Sequence, residues 1–308
     1  MFPNTFIAGA QKSGTTTLCS VFASHPQAVV SEPKEPVFFS KAANLARPDI
    51  YQACFRRKHS GEPKVVIDGS NAYMTDPLAA IRIREILGDQ LQFIFSLREP
   101  VGRMVSGYWH QVKKGHDRRT LAEALSMESS SLEDALQEEE ERLKRSLAQG
   151  VIRIEAYADR YDDPLWNFRY VRNSLYAADL QRFRDIFGSA RIRVVLFEEL
   201  VNNPLLTLSK LAEFLKIDPA AFPRGLDLHR NPTKLSRVPN LPETLRRLPG
   251  IGLLRAVPGY ARISHTLFYR QPGSPPSDFM GRWRRLYECE VARLQRMLDQ
   301  DLITFWSR

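Results

Sequence analysis

The segment Gly9-Ala10-Gln11-Lys12-Ser13-Gly14-Thr15-Thr16-Thr17 sets two glycines, one lysine and a run of hydroxyls directly behind the apolar stretch Thr5–Gly9. A strand, a tight turn and a helix start in that order make an anion cradle, because backbone N–H groups point outward and the helix dipole favours negative charge. Gly9 and Gly14 keep the spacing of a P-loop, but Thr15 stands where a P-loop has its lysine, and the loop's lysine is Lys12. In a P-loop NTPase the lysine reaches the β- and γ-phosphates and the following hydroxyl holds Mg²⁺. A lysine inside the loop reaches instead a bridging oxygen close to a 5′-phosphate, which suits a shorter phosphate chain.

Two further segments carry groups able to do chemistry. In Phe93-Ile94-Phe95-Ser96-Leu97-Arg98-Glu99-Pro100, continuing to Ser106, a guanidinium ends an apolar run and a hydroxyl follows two helical turns later. Such a pair can converge on one phosphate. In Lys34-Glu35-Pro36-Val37-Phe38-Phe39 a carboxylate is confined by prolines and two phenylalanines; apolar walls can raise a carboxylate's proton affinity toward that of a general base. Pairing of Glu35 with Lys34 or Lys12 is the structural alternative. The six histidines show no metal-ligand spacing, and His110 or His116 could be another base. Cys19, Cys54 and Cys289 lie far apart, which argues against a zinc or CxxC site and for a reducing compartment.

These groups need a scaffold that gathers loop ends. Runs at Thr5–Gly9, Ala28–Val30, Lys64–Asp68, Leu91–Leu97 and Ile192–Phe197 read as strands alternating with helical stretches. Several are apolar throughout, as in a parallel sheet covered on both faces. Asp76-Pro77, Asp163-Pro164 and Asn203-Pro204 each place a capping side chain before a proline whose missing N–H costs nothing at a helix start. The expected fold is α/β, a P-loop-like three-layer arrangement with a central parallel sheet flanked by helices. A single domain over residues 1–308 is expected, interrupted twice. About residues 113–149 the chain turns very polar, and Glu138–Glu141 ahead of Arg142, Lys144 and Arg145 predicts a solvated helix with i,i+4 pairs. About residues 223–276 it is rich in Pro and Gly, and from Arg224 to Arg270 nine Lys/Arg face only Asp227 and Glu243. That segment is expected to serve as an acceptor-binding or lid region; Leu241–Ile263 within it could make a peripheral membrane contact. Phe279, Trp283, Leu286, Leu294 and Leu298 recur at helical spacing and predict a closing amphipathic helix.

Composition narrows the classes. With 43% hydrophobic and 26% charged residues in 308, the chain is neither collagen-like, nor disordered, nor a disulfide scaffold. No run approaches the roughly 20 apolar residues of a membrane span, and the first residues lack a signal-peptide layout, so a cytoplasmic location is expected. The net charge of +9 favours anionic partners.

Lys12-Ser13-Gly14-Thr15-Thr16 after a first strand resembles the 5′-phosphosulfate loop of the PAPS-dependent sulfotransferase superfamily, and the Arg98–Ser106 segment resembles that family's 3′-phosphate site. Lys34-Glu35-Pro36-Val37-Phe38-Phe39 is similar to the Lys-Glu-x-x-Phe-Phe segment of heparan-sulfate-type and bacterial carbohydrate sulfotransferases, rather than to the histidine motif of the cytosolic phenol and steroid type. The resemblance runs from residue 5 to about residue 218. It implies transfer of a sulfuryl group from 3′-phosphoadenosine 5′-phosphosulfate (PAPS) to a hydroxyl or amine, leaving adenosine 3′,5′-bisphosphate, without a metal. Catalytic roles fall to Lys12 and Glu35. Cofactor contacts fall to Gln11, Lys12, Ser13, Gly14, Thr15, Thr16, Thr17, Arg98 and Ser106, with Arg230 and Lys234 of His229–Lys234 as a loose counterpart of the family's Lys/Arg-Gly loop. The family's acceptor side maps onto Lys34 and onto Asp68, Ser70 and Tyr73 of Ile67–Tyr73. The implied partners are a nucleotide and an acceptor, a glycan or other polar metabolite, and not a nucleic acid. The competing readings are a P-loop nucleotide kinase or NTPase with Asp68 as its Mg²⁺-binding acid, and a non-catalytic polyanion-binding protein using the basic segment.

Overall fold

The computed structural model describes residues 1–56, 62–125, 130–223, 235–236, 269–270, 273 and 275–307. Five strands, β1 (Thr5–Gly9), β2 (Ala28–Val30), β3 (Val65–Asp68), β4 (Gln92–Leu97) and β5 (Ile192–Leu196), form one parallel sheet in the order β2-β3-β1-β4-β5. The expected α/β fold is therefore present. Alternation along the strands divides the core: Phe6, Phe93 and Phe95 pack on one face with Phe183 and Tyr73, whereas Ile7 and Ile94 pack on the other with Leu18, Phe22 and Leu211. Because β3 lies on one side of β1 and β4 on the other, the chain direction diverges at the carboxyl ends of β1 and β4. In open α/β sheets this switch point is where a crevice opens for ligands, and it is where the Lys12 and Arg98 loops emerge.

The helix Pro100–Lys114 carries a third apolar cluster beside that crevice, with Val101, Met104 and Tyr108 packed among Leu143, Tyr170, Trp283 and Tyr287. The last two come from the helix Ser277–Leu298, in which the expected amphipathic pattern is realised. Asn203 precedes the helix Pro204–Leu215, with the proline in its first turn. Asp76 and Asp163 instead close short turns, accepting from the amides of Leu78 and Leu165.

The polar stretch holds the end of Pro100–Lys114, then the helices Leu121–Leu125 and Leu132–Ala148. Arg142 pairs with Glu138 at 3.0 Å as expected, but the helix is not solvated all round. Glu139 is buried and accepts from the amides of Val171 and Arg172 at 2.7 and 2.9 Å. Burial pushes its pKa up to about 7, against the pull of those two bonds. A raised acid contributes its stability below its ordinary pKa and loses it as the pH climbs through the raised value. The stability difference between Glu139→Gln and the wild type should thus move in the variant's favour between about pH 4.5 and 7, by on the order of 3 kcal/mol. Urea unfolding across that range measures it, and parallel pH curves would show that Glu139 stays charged.

Most of the basic 223–276 segment, including Arg230, Lys234 and Leu241–Ile263, lies outside the described residues. Within it Leu235–Ser236 pairs antiparallel with Tyr269–Arg270. Among the described residues no helix is long and apolar enough to cross a membrane.

Candidate active site

The first loop is stapled to β4 from beneath: the Ala10 amide donates to the Ser96 carbonyl at 2.7 Å, and the Ser96 hydroxyl donates to the Ser13 carbonyl. Lys12 and Gly14 take positive φ, 69° and 83°, which turns the chain into the helix Thr15–Ala23. A Cβ at Gly14 would lie 2.9 Å from the Phe197 ring, so both space and conformation require glycine there. The first-turn amides have no partner within the helix. The Ser13 hydroxyl is buried with no hydrogen-bond partner.

Arg98 leaves the end of β4 with its guanidinium 5.0 Å from the Phe197 ring centroid, and its carbonyl accepts from the Tyr176 hydroxyl at 2.9 Å. The Glu99 side chain caps the next helix by accepting from the Val101 and Gly102 amides at 3.2 and 2.6 Å. Ser106 lies on the same helix face as Gly102, Trp109, His110 and Lys114, all of which line one cleft. That cleft has a volume of about 880 Å³ and includes Gln11, Lys12, Gly14, Thr15, Thr16, Thr17, Glu35, Arg98 and Ser106. Two distant sequence segments and the Glu35 loop thus meet in one place. Burial lowers the Lys12 pKa to about 8, and Lys113, Arg98, Lys114 and Arg103 push it the same way. A turn that excludes a Cβ, first-turn amides without helical partners and the two cations Lys12 and Arg98 on one cleft wall fit a polyanionic ligand such as PAPS.

Glu35 lies across the cleft, its Oε1 accepting from Asn71 Nδ2 at 2.7 Å and from Lys34 Nζ at 2.8 Å. The ion pair weighed as a structural alternative therefore exists, yet the carboxylate still lines the cleft. Burial is the largest single influence and works against the Lys34 charge, but Glu35, Cys19 and Asp68 together outweigh it and the Lys34 pKa rises. Lys34 serves as the partner of Glu35 and is not on the cleft wall.

Asp68, Ser70 and Tyr73 are placed differently from the expectation that they contact the acceptor: all three are fully buried. Asp68 accepts from the hydroxyls of Tyr51, Tyr73 and Ser70 at 2.7, 3.0 and 2.6 Å and from the Ser70 amide at 2.9 Å. Burial raises its pKa to about 6, although those donors pull it down. Ser70 Oγ in turn accepts from the Val37 amide at 3.0 Å. The three residues thereby hold the Glu35–Phe39 loop from below. Their lone pairs and hydroxyls are spent inside the protein, which also leaves the kinase reading without its metal-binding acid. Phe38 and Phe39 are buried core.

Sequence reasoning overlooked the far wall: Asn71, Lys114, Tyr157, Arg160, Tyr161, Trp166 and Asn167. For Lys114 a signal existed, since Gly102, Ser106, Trp109, His110 and Lys114 recur at helical spacing from the Arg98 turn. The 157–167 stretch has no comparable periodicity. His116 bonds the Tyr157 hydroxyl at 3.0 Å and is not on the cleft wall. His110 is, but burial and the charges of Lys12, Lys114 and Lys113 drive its pKa down to about 2.

Known proteins bear on this arrangement. The profile of the sulfotransferase domain matches residues 2–231. The heparan sulfate glucosamine 3-O-sulfotransferase 5 proteins of Mus musculus and Homo sapiens are each 24% identical over 223 residues, covering 70% of this chain and 54% of theirs. The chain thus spans about half the length of the curated relatives it matches. The crystal structure of a sulfotransferase from Alicyclobacillus acidocaldarius is similar in fold, with a TM-score of 0.66 at 23% identity over 100% of both chains. On a match that runs from residue 2 to residue 231 and takes in the Lys12, Glu35 and Arg98 segments together, the chain belongs to the sulfotransferase family.

Proposed function

We propose that this sulfotransferase uses PAPS as donor and sulfates a hydroxyl or amine of a carbohydrate or other polar metabolite. The observation that carries the reading is the meeting of Lys12, the Gly14–Thr17 turn and helix start, Arg98, Ser106 and Glu35 at one cleft, with Ser13 buried behind it. The donor, when bound, supplies the sulfuryl group and a bisphosphate leaving group. Lys12 and the first-turn amides, with the hydroxyls of Thr15–Thr17, hold the 5′-phosphate, and Lys12 neutralises charge growing on its bridging oxygen. Arg98, stiffened by the Phe197 ring, and Ser106 hold the 3′-phosphate. Glu35, steadied by Asn71, removes the acceptor proton. Positioning and charge stabilisation carry the catalysis, as in phosphoryl transfer. The two relatives named for heparan sulfate support a glycan acceptor.

Calorimetric titration with adenosine 3′,5′-bisphosphate and, separately, with ATP plus Mg²⁺ tests the reading. Tight binding of the bisphosphate without metal is expected. Arg98→Ala should weaken it about 10–100-fold, the loss of a charge-assisted contact. Binding of Mg-ATP alone, or bisphosphate binding indifferent to Arg98, would overturn the assignment.

A further inference from the structure

The main chain on both sides of the Arg98 side chain is held by residues that come much later in the sequence. The Arg98 carbonyl accepts from the Tyr176 hydroxyl at 2.9 Å, and the next amide, that of Glu99, donates to Glu198 Oε1 at 3.1 Å. Glu198 lies on the short helix Phe197–Asn202 that follows β5, and its second oxygen, Oε2, accepts from Trp306 Nε1 at 3.0 Å. Trp306 belongs to the last helix, Leu302–Ser307, and is buried in the same apolar cluster as Leu97, Tyr176 and Leu302. Tyr176 is tied to this end of the chain as well: its amide and that of Ala177 both donate to Glu290 Oε1 at 2.7 Å, from the helix Ser277–Leu298. Glu290 and Trp306 lie beyond residue 231, where the match to the family profile ends.

Electrostatics alone argues against a carboxylate in this place. Glu198 adjoins Phe197, whose ring centroid is 5.0 Å from the Arg98 guanidinium, and a fixed negative charge there repels an incoming phosphate. Among the described residues Arg98 forms no ion pair with a carboxylate, and Glu198 is not on the cleft wall. Glu198 therefore neither neutralises the guanidinium by contact nor meets a ligand. What it provides is two acceptors in one planar group, one for the amide next to Arg98 and one for an indole anchored in the core. Both bonds have an ionised acceptor, which makes them the stronger kind. An arginine on a held backbone loses less freedom when it closes on a phosphate.

We propose that Glu198 and Trp306 are positioning residues of the donor site. Trp306 fixes the Glu198 carboxylate, Glu198 fixes the peptide group that follows Arg98, and the guanidinium is thereby aimed at the donor's 3′-phosphate. The proposal rests on the reading that Arg98 meets that phosphate. Adenosine 3′,5′-bisphosphate and adenosine 5′-monophosphate differ only in the 3′-phosphate, so the ratio of their affinities isolates what the Arg98 corner contributes. In Glu198→Gln the new amide nitrogen must face either the Glu99 amide or the indole N–H, donor against donor, and one of the two bonds is lost. Trp306→Phe is gentler, since it keeps a buried aromatic ring and removes the N–H. Calorimetric titration should show the bisphosphate affinity lowered about ten-fold by Glu198→Gln and about three-fold by Trp306→Phe, with the monophosphate within about two-fold of wild type in both. The double variant should match Glu198→Gln within about two-fold, because both changes act through one carboxylate. The direction of the change tells positioning from charge: removing a negative charge would by itself tighten phosphate binding. Damage to the fold would instead weaken both nucleotides alike. Bisphosphate binding that is tightened or unchanged in Glu198→Gln, or an equal loss for the two nucleotides, would overturn the proposal. If Glu198→Gln does not fold, the affinity ratio in Trp306→Phe decides alone. Arg98→Ala, titrated in parallel, separates the two readings. A ratio that collapses there but persists in the other variants removes only the positioning roles, whereas a ratio indifferent to Arg98 removes the 3′-phosphate assignment itself.

Discussion

Glu35→Gln is expected to lower kcat by about 10²–10⁴-fold, the usual contribution of a positioned general base, and to leave the affinity for adenosine 3′,5′-bisphosphate within about two-fold of wild type. Glutamine keeps the volume of the side chain and one carbonyl oxygen for Asn71 Nδ2, which donates at 2.7 Å. What it removes is the proton acceptor and the negative partner of Lys34, 2.8 Å away. The loop itself should persist, because the Val37 amide is held by Ser70 and the Glu35 carbonyl by Arg160, neither through the carboxylate. His110 is the rival base on the cleft wall. An imidazole whose pKa is driven to about 2 has little affinity for a proton leaving a hydroxyl. The assay is release of adenosine 3′,5′-bisphosphate from PAPS, followed with whichever acceptor of a hydroxyl- and amine-bearing panel the wild type turns over. A Glu35→Gln enzyme that turns over at the wild-type rate would remove Glu35 from the mechanism.

Much of the sheet was legible because β1, β3 and β4 are apolar runs buried on both faces, and the observed bounds differ from the expected ones by a single residue at Val65, Gln92 and Leu196. The Lys12 and Arg98 loops were legible for a related reason: their roles follow from backbone geometry at strand ends, which glycine, proline and hydroxyl residues mark in sequence. Side-chain direction was not. Asp68 ends a strand, and nothing local says that its acceptors are consumed by Tyr51 and Tyr73 from two other elements. Glu139 stands in a run of four glutamates, yet Ala135, Glu139 and Leu143 fall at i, i+4 and i+8, so it shares the buried stripe with its apolar neighbours. The rest of the cleft wall is assembled from Asn71, the end of Pro100–Lys114 and the 157–167 stretch, and only tertiary packing brings these together.

Lys12→Ala is the second large effect, a loss of about 10²–10³-fold in kcat if the amine neutralises charge that develops only in the transition state. The structure adds a pH signature. The free protein holds Lys12 buried among Lys113, Arg98, Lys114 and Arg103, with burial the larger influence, and its pKa falls to about 8. The role requires the ammonium form, so wild-type kcat/KM should decline as the pH rises through about 8, and the variant's residual rate should not follow that decline. Stability moves the opposite way. A lysine with a lowered pKa burdens the fold while it is charged, and between about pH 8 and 10.5 the folded protein binds fewer protons than the unfolded chain, so this group's contribution to stability rises with pH. An anionic nucleotide beside the amine restores its affinity for a proton. Binding adenosine 3′,5′-bisphosphate near pH 8.5 should therefore draw a fraction of a proton from solution, seen as a dependence of the calorimetric heat on the ionisation enthalpy of the buffer. Lys12→Ala should abolish that dependence. A heat independent of buffer, together with a flat kcat/KM above pH 8, would place Lys12 outside the phosphate site. The same cluster of cations that costs the unliganded fold stability is then what attracts and discharges the nucleotide.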